Sequence, residues 1–224
     1  MDFQPPHPVQ FSGNRLARGL LGMAGWQVDF AGLPARQGVL IVYPHTSNWD
    51  FVVGLLAKWS IGIPVRFWAK ESLFRNPLFA AWLRRLGGMP ISRASPKGAV
   101  GEMAALIAQK KTGGDYFWLA LSPEGTRSFV KTWRSGFYRV ALAAEVPVGI
   151  VALDYAGKRV VVRHFLRLTG NESRDMARIA EALAGSHGRR PALAAPIQLP
   201  QATPGPAPAA ADAATMARAA TSDH

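Results

Sequence analysis

Cysteine is absent from the sequence. That excludes a disulfide framework, a thiolate zinc or iron–sulfur site and a thiol nucleophile, while leaving the redox compartment open. Acidic residues are scarce, 14 against 26 lysines and arginines. Uninterrupted apolar runs are missing too: no stretch reaches the ~18 residues that a membrane-crossing helix requires. The first ten residues carry Asp2, Pro5, Pro6 and Pro8 and no basic segment leading into an apolar run, so a cleaved secretory signal is not expected. The remaining histidines besides His45, namely His7, His164, His187 and His224, are scattered and offer no metal-ligand spacing. No Gly-x4-Gly-Lys-Ser/Thr loop occurs, which excludes a nucleotide-binding P-loop. Without zinc-finger or RNP-like patterns, nucleic acid is not an expected partner either.

What remains is enough for one sizeable domain: 224 residues, 49% of them hydrophobic. The formal net charge of +12 favours partners with negative charge, such as an anionic membrane surface or phosphorylated ligands. From Ser186 onward Arg189, Arg190 and Arg218 face only Asp212 and Asp223, so nearly all of the surplus lies on the body of the chain.

Short β-like runs alternate with helical ones. Strands are expected at Trp26–Phe30, Val39–Tyr43, Val65–Ala69, Tyr116–Leu121, Val148–Leu153 and Val160–Phe165. Helices are expected at Phe51–Ile61, Pro77–Leu86, Lys97–Lys110, Gly136–Ala144 and Ser173–Leu183. Such alternation argues for a single α/β domain around a mixed, largely buried β-sheet flanked by helices. The division we expect is an N-terminal segment, 1–25, with a short amphipathic helix; a folded domain, 26–185; and a disordered Pro/Ala-rich tail, 186–224.

Three constellations can carry chemistry. In the first, His45-Thr46-Ser47-Asn48-Trp49-Asp50 follows an apolar strand. Residues five apart lie roughly 140° apart on one helix, so His45 and Asp50 meet only if His45 sits in the loop and Asp50 in the first helical turn. The carboxylate then accepts a proton from one ring nitrogen and leaves the other as a base. In isolation the same spacing also describes a helix cap with an acidic residue complementing the dipole. The second is Ser122-Pro123-Glu124-Gly125-Thr126-Arg127-Ser128, where Gly125 allows a tight turn. Arg127, with the hydroxyls of Thr126 and Ser128, offers donors suited to phosphate. An ionised Glu124 cannot bind phosphate; we expect it to pair with an arginine or touch an acceptor hydroxyl. The third, Gly87-Gly88-Met89-Pro90-Ile91-Ser92-Arg93, is read as a bend followed by a second anion ligand, Arg93.

In order and spacing, these three resemble the signature blocks of the glycerolipid acyltransferases, the family of the 1-acyl-glycerol-3-phosphate (lysophosphatidic acid) acyltransferases. The resemblance runs from about Trp26 to Phe165, and Trp133-Arg134-Ser135-Gly136-Phe137-Tyr138 is similar to a small bacterial branch. Pro147-Val148-Gly149-Ile150 departs from the family's fourth block by lacking its second proline. The resemblance implies a glycerol-3-phosphate acyltransferase-like fold and transfer of an acyl group from acyl-CoA or acyl carrier protein to a lysophospholipid hydroxyl. It implies that His45 is the general base, that Asp50 orients it, and that Arg93, Glu124, Gly125, Thr126 and Arg127 form the acceptor site. No metal and no cofactor beyond the acyl donor is expected: a thioester already has a good leaving group, and activating and placing a hydroxyl suffices. A non-catalytic membrane-binding module would explain charge and tryptophans but not the ordered blocks.

A membrane surface is a further expected partner. Trp49, Trp59, Trp68 and Trp82 fall in one stretch with Leu55, Leu56, Leu73, Phe74, Leu78 and Phe79, interleaved with Lys58, Lys70, Arg75, Arg84 and Arg85. Trp68 is expected in the core, whereas Leu73–Leu86 reads as a helix lying in an anionic interface. Peripheral attachment to the cytoplasmic face of the inner membrane follows as an expectation.

Overall fold

The computed structural model describes residues 2–91 and 96–200, with Pro96 and Lys97 described by their backbone only. Seven strands and six helices alternate along it. They are α1 (Arg15–Met23), β1 (Gln27–Phe30), β2 (Gln37–Tyr43), α2 (Trp49–Ile61), β3 (Val65–Lys70) and α3 (Pro77–Leu86). There follow β4 (Gly88–Ile91), α4 (Pro96–Thr112), β5 (Phe117–Leu121), α5 (Gly136–Ala143), β6 (Val148–Asp154), β7 (Arg159–Leu166) and α6 (Glu172–Ala182). Short 3-10 turns cover Glu71–Phe74 and Pro191–Leu193. The strands form one sheet in the order β1-β7-β6-β2-β5-β3-β4, parallel at every pairing except β6 with β7. This is the mixed α/β sheet expected from the alternation.

The central position of β2 follows from its sequence. Gln-Gly-Val-Leu-Ile-Val-Tyr is apolar on both faces, as a strand covered by helices on both sides must be. Val39, Ile41 and Tyr43 join one apolar layer with Met103 and Ile107 of α4, Phe137 and Val140 of α5 and Ile179 of α6. Leu40 points the other way, into a layer with Val53 and Ala57 of α2, Trp118 and Phe165. Trp68 packs against the first layer, as expected.

One strand escapes the sequence reading. Gly87 to Arg93 was expected as a bend, yet Gly88–Ile91 pairs with β3 at the sheet's edge. An edge strand needs partners on one side only, which is why Pro90, exposed and without an N–H, is tolerated there.

A larger difference concerns the chain after Ser186, where the composition suggested disorder. Residues 187–200 instead cross the sheet's carboxyl end and pack on it. The His187 carbonyl accepts from the N–H of Tyr155, the Gln198 carbonyl from that of Trp133, and the Ala195 carbonyl from the Tyr43 hydroxyl. Ala195 is 1% exposed, and Ile197 and Leu199 lie against the first apolar layer. The prolines that suggested disorder leave room for an alternating apolar pattern: Leu193, Ala195, Ile197 and Leu199. Within the same tail, the alanine-rich stretch Ala209–Ala220 is expected to form a frayed helix; it lies outside the described residues.

Because β2 lies between β5 and β6 and runs parallel to both, the loops that leave their carboxyl ends emerge side by side. In open α/β sheets this edge is where ligands bind. Gly38 near the start of β2 helps set this geometry: it faces Trp118, its β5 register partner, which is fully buried. A Cβ at position 38 would collide with the indole ring. Gly38→Ala should therefore destabilise the protein by about 1–3 kcal/mol, seen as a lower denaturation midpoint with little change in slope.

Candidate active site

Two buried carboxylates shape the loop between β2 and α2. The chain leaves Tyr43 through a cis Tyr43–Pro44 peptide and presents three successive N–H groups, those of His45, Thr46 and Ser47. Thr46 and Ser47 donate to Asp50 Oδ2, at 2.7 and 2.8 Å. His45 donates its backbone N–H to Glu124 Oε2, at 2.6 Å. Ser47 Oγ in turn accepts from Trp49 N, where the helix that Asp50 enters begins. The loop is thus clamped between a carboxylate from its own helix and one from the turn after β5.

Within this clamp the His45 ring meets Asp50, Nδ1 lying 3.2 Å from Oδ2. The meeting of loop and first turn that the spacing required is the one found. Facing a carboxylate fixes the proton on Nδ1 and leaves Nε2 as the basic nitrogen. The His45 side chain is 23% exposed, so Nε2 is accessible, whereas Asp50 is sealed. The other oxygen of Asp50, Oδ1, accepts the Tyr155 hydroxyl at 2.6 Å. Burial pushes the Asp50 carboxyl up, but hydrogen bonds from His45, Tyr155 and Ser47 outweigh it and hold the group below its ordinary range.

Glu124 occupies a different place from the one expected. It is 2% exposed, and both oxygens are taken by backbone donors: Oε2 by His45 and Oε1 by Ala195 at 3.0 Å. It pairs with no arginine among the described residues; it ties the β2–α2 loop to the crossing segment. Burial raises its pKa, with the Ala195 and His45 N–H groups opposing, because it lacks the further donors that Asp50 has. Around it, Gly125 takes the left-handed conformation at φ +67° with the Arg134 side chain packed across it. Thr126 Oγ1 accepts from Ser128 N, and Arg127 is exposed with no carboxylate in ion-pair range among the described residues. Arg93 lies outside the described residues.

Sequence reading missed the second ring around the pair. Tyr155 stands in the turn after β6, where no spacing rule points to it. From the crossing segment, Arg190 N donates to Thr46 Oγ1 and the Arg189 guanidinium lies over the Trp49 ring, 5.5 Å from its centroid. Among the described residues no group of three His, Asp or Glu residues is arranged to hold a metal ion.

The two carboxylates should contribute to stability with opposite pH dependence. A carboxyl whose pKa falls on folding stabilises above its unfolded value, about 3.9 for Asp, and loses that contribution as the pH drops through its folded value. One whose pKa rises does the reverse, so acidification toward about 4.3 favours the folded state. Asp50→Asn should therefore cost about 1–3 kcal/mol at neutral pH, with the gap to wild type narrowing in acid. The gap between wild type and Glu124→Gln should instead widen as the pH falls toward that value. Urea melts at several pH values read both slopes; equal slopes would contradict the assignment.

A family model described as acyltransferase matches residues 27–153, more than half of the chain. No curated protein gives a significant match. Among solved structures, the chain is similar to the crystal structure of the 1-acyl-sn-glycerophosphate (LPA) acyltransferase PlsC from Thermotoga maritima. The two are 18% identical, the match covers 75% of this chain and 74% of that one, and the TM-score is 0.48. Residues 27–153 contain the β2–α2 loop, the turn after β5 and the adjacent strands β2 and β5 that set them side by side, and the chain belongs to the acyltransferase family.

Proposed function

We propose that this acyltransferase moves a fatty acyl group from acyl-CoA or acyl carrier protein to the free hydroxyl of a lysophospholipid, with 1-acyl-glycerol-3-phosphate as the acceptor. The observation that carries the reading is the His45–Asp50 pair, with a sealed carboxylate on Nδ1 and an accessible Nε2. Nε2 takes the proton of the acceptor hydroxyl as its oxygen attacks the thioester carbonyl. The tetrahedral adduct collapses by breaking its C–S bond, and the imidazolium returns the proton to the departing thiolate. Nothing becomes covalently attached to the protein. General-base assistance of this kind contributes about 10²–10⁴ in rate, and positioning the two substrates adds to it.

The phosphate of the acceptor is assigned to Arg127 with the Thr126 hydroxyl beside it, at a turn held in shape by Glu124 and Gly125. Arg93 joins them on the strength of its sequence block. Arg127→Ala should raise the acceptor KM tenfold or more, about 1.4 kcal/mol, with the donor KM little changed; an unchanged acceptor KM would remove the assignment.

Attachment to a membrane surface belongs to the same reading. No helix among the described residues is long and apolar enough to cross a bilayer. Exposed apolar side chains nevertheless gather on α1 (Leu16, Met23) and along α3 (Leu78, Phe79, Trp82). Leu78 is 82% exposed and Met23 80%, with Arg75, Arg84 and Arg85 beside the α3 group. Apolar groups flanked by arginines fit an interface of acyl chains under anionic headgroups. The cytoplasmic face of the inner membrane is the site we assign. In liposome flotation at low salt the protein should float with anionic vesicles and much less with neutral ones, and equal flotation would remove the electrostatic part.

The activity is tested by incubating purified protein with acyl-CoA or acyl carrier protein and a panel of lysolipids, with products read by mass spectrometry. Phosphatidic acid from 1-acyl-glycerol-3-phosphate is the expected product. Product only from glycerol 3-phosphate or a lyso-aminolipid would move the acceptor assignment. Failure with every thioester while vesicle binding persists would favour a membrane-binding role instead.

A further inference from the structure

Tyr155 lies just beyond the region that matches the family, yet it is built into the catalytic pair from behind. Its hydroxyl donates to Asp50 Oδ1 at 2.6 Å, on the oxygen that His45 and the loop N–H groups leave open. Its ring stands edge-on to Trp26, with centroids 4.8 Å apart, which fixes the phenol's direction. Its backbone N–H donates to the His187 carbonyl at 2.8 Å and ties down the start of the crossing segment. One residue thus joins the β6–β7 turn, the N-terminal part of the core, the catalytic aspartate and the segment that also bonds Thr46 and Glu124.

We infer that Tyr155 is a positioning residue for acyl transfer: its hydroxyl fixes the Asp50 carboxylate against His45 and sets how strongly that carboxylate holds an imidazolium. The inference rests on the His45 general-base reading. Burial and the neighbouring Asp50 raise the phenol's pKa, so it remains a donor across the working pH range. A hydrogen bond to Oδ1 draws carboxylate charge away from Oδ2. Without it, Oδ2 presents more negative charge to Nδ1–H, and His45 keeps its proton to higher pH. The other ionisable or charged groups facing this cluster are Glu124, which acts on Asp50 across the loop, and Arg189, whose charge acts on Tyr155 from the crossing segment. His187 and Asp154 border it, 3.6 Å apart at the start of that segment.

Tyr155→Phe removes the hydroxyl and keeps the ring against Trp26 and the N–H to His187. The full-length variant should lose kcat by three- to thirty-fold with both KM values within twofold of wild type. The acid limb of its kcat/KM profile should move to higher pH. A purely structural tyrosine would lower the melting temperature but leave the pH profile of the folded enzyme unmoved. The same displacement should appear without turnover, as an upward shift in the NMR titration of the His45 ring protons. Wild-type kcat with an unmoved acid limb, or a His45 titration that stays put or moves downward, would overturn the inference. Because the titration needs no substrate, it separates failure of this role from failure of the acyl-transfer reading.

Discussion

Four donors converge on the Asp50 carboxylate: the N–H groups of Thr46 and Ser47, Nδ1 of His45 and the hydroxyl of Tyr155. Sealing a carboxylate from water costs several kcal/mol, and only a full set of hydrogen bonds offsets it. Three of the four come from the loop that the carboxylate organises, so the loop cannot relax without stranding a buried charge. The His45 ring is held by the same condition. The ring nitrogen that the proposed reaction uses as its base is thereby fixed by the stability of the fold.

Glu124 extends that constraint across the molecule. Its two oxygens hold the His45 N–H and the Ala195 N–H, so the β2–α2 loop, the turn after β5 and the chain near residue 195 share one buried junction. The result is a division of labour within a single turn. Glu124 faces inward and shapes the loop, while Arg127, three residues on, remains exposed at the rim. The motif that reads as one block in sequence is a buried, loop-shaping half and an exposed half in space.

This division explains what the sequence could and could not reveal. The central strands were legible because β2, β5 and β6 are continuously apolar, and α3 because Asn76 caps it, Pro77 opens it and Gly87 ends it. The His45–Asp50 pair was legible because loop and first turn are the only places from which residues at that spacing can meet. Glu124 was placed in the wrong company because its partners are backbone N–H groups, which leave no trace in residue identity. Tyr155 and Arg190 come from distant parts of the chain, and no local spacing reports them. The crossing segment was misread because proline and alanine dominate its composition, although Leu193, Ala195, Ile197 and Leu199 alternate beneath them.

If the site is built to hold one basic nitrogen, removing that nitrogen should take away the chemistry while the fold survives. The measurement is acyl transfer by His45→Ala, made alongside its circular dichroism and melting temperature. The account predicts a wild-type dichroism spectrum and a melting temperature lowered only by the loss of one of the four donors to Asp50, with turnover lowered at least a hundredfold. A helix-capping histidine would give the reverse, a weakened fold with activity surviving in the folded fraction. A well-folded His45→Ala protein that transfers acyl groups at a near-normal rate would contradict the account.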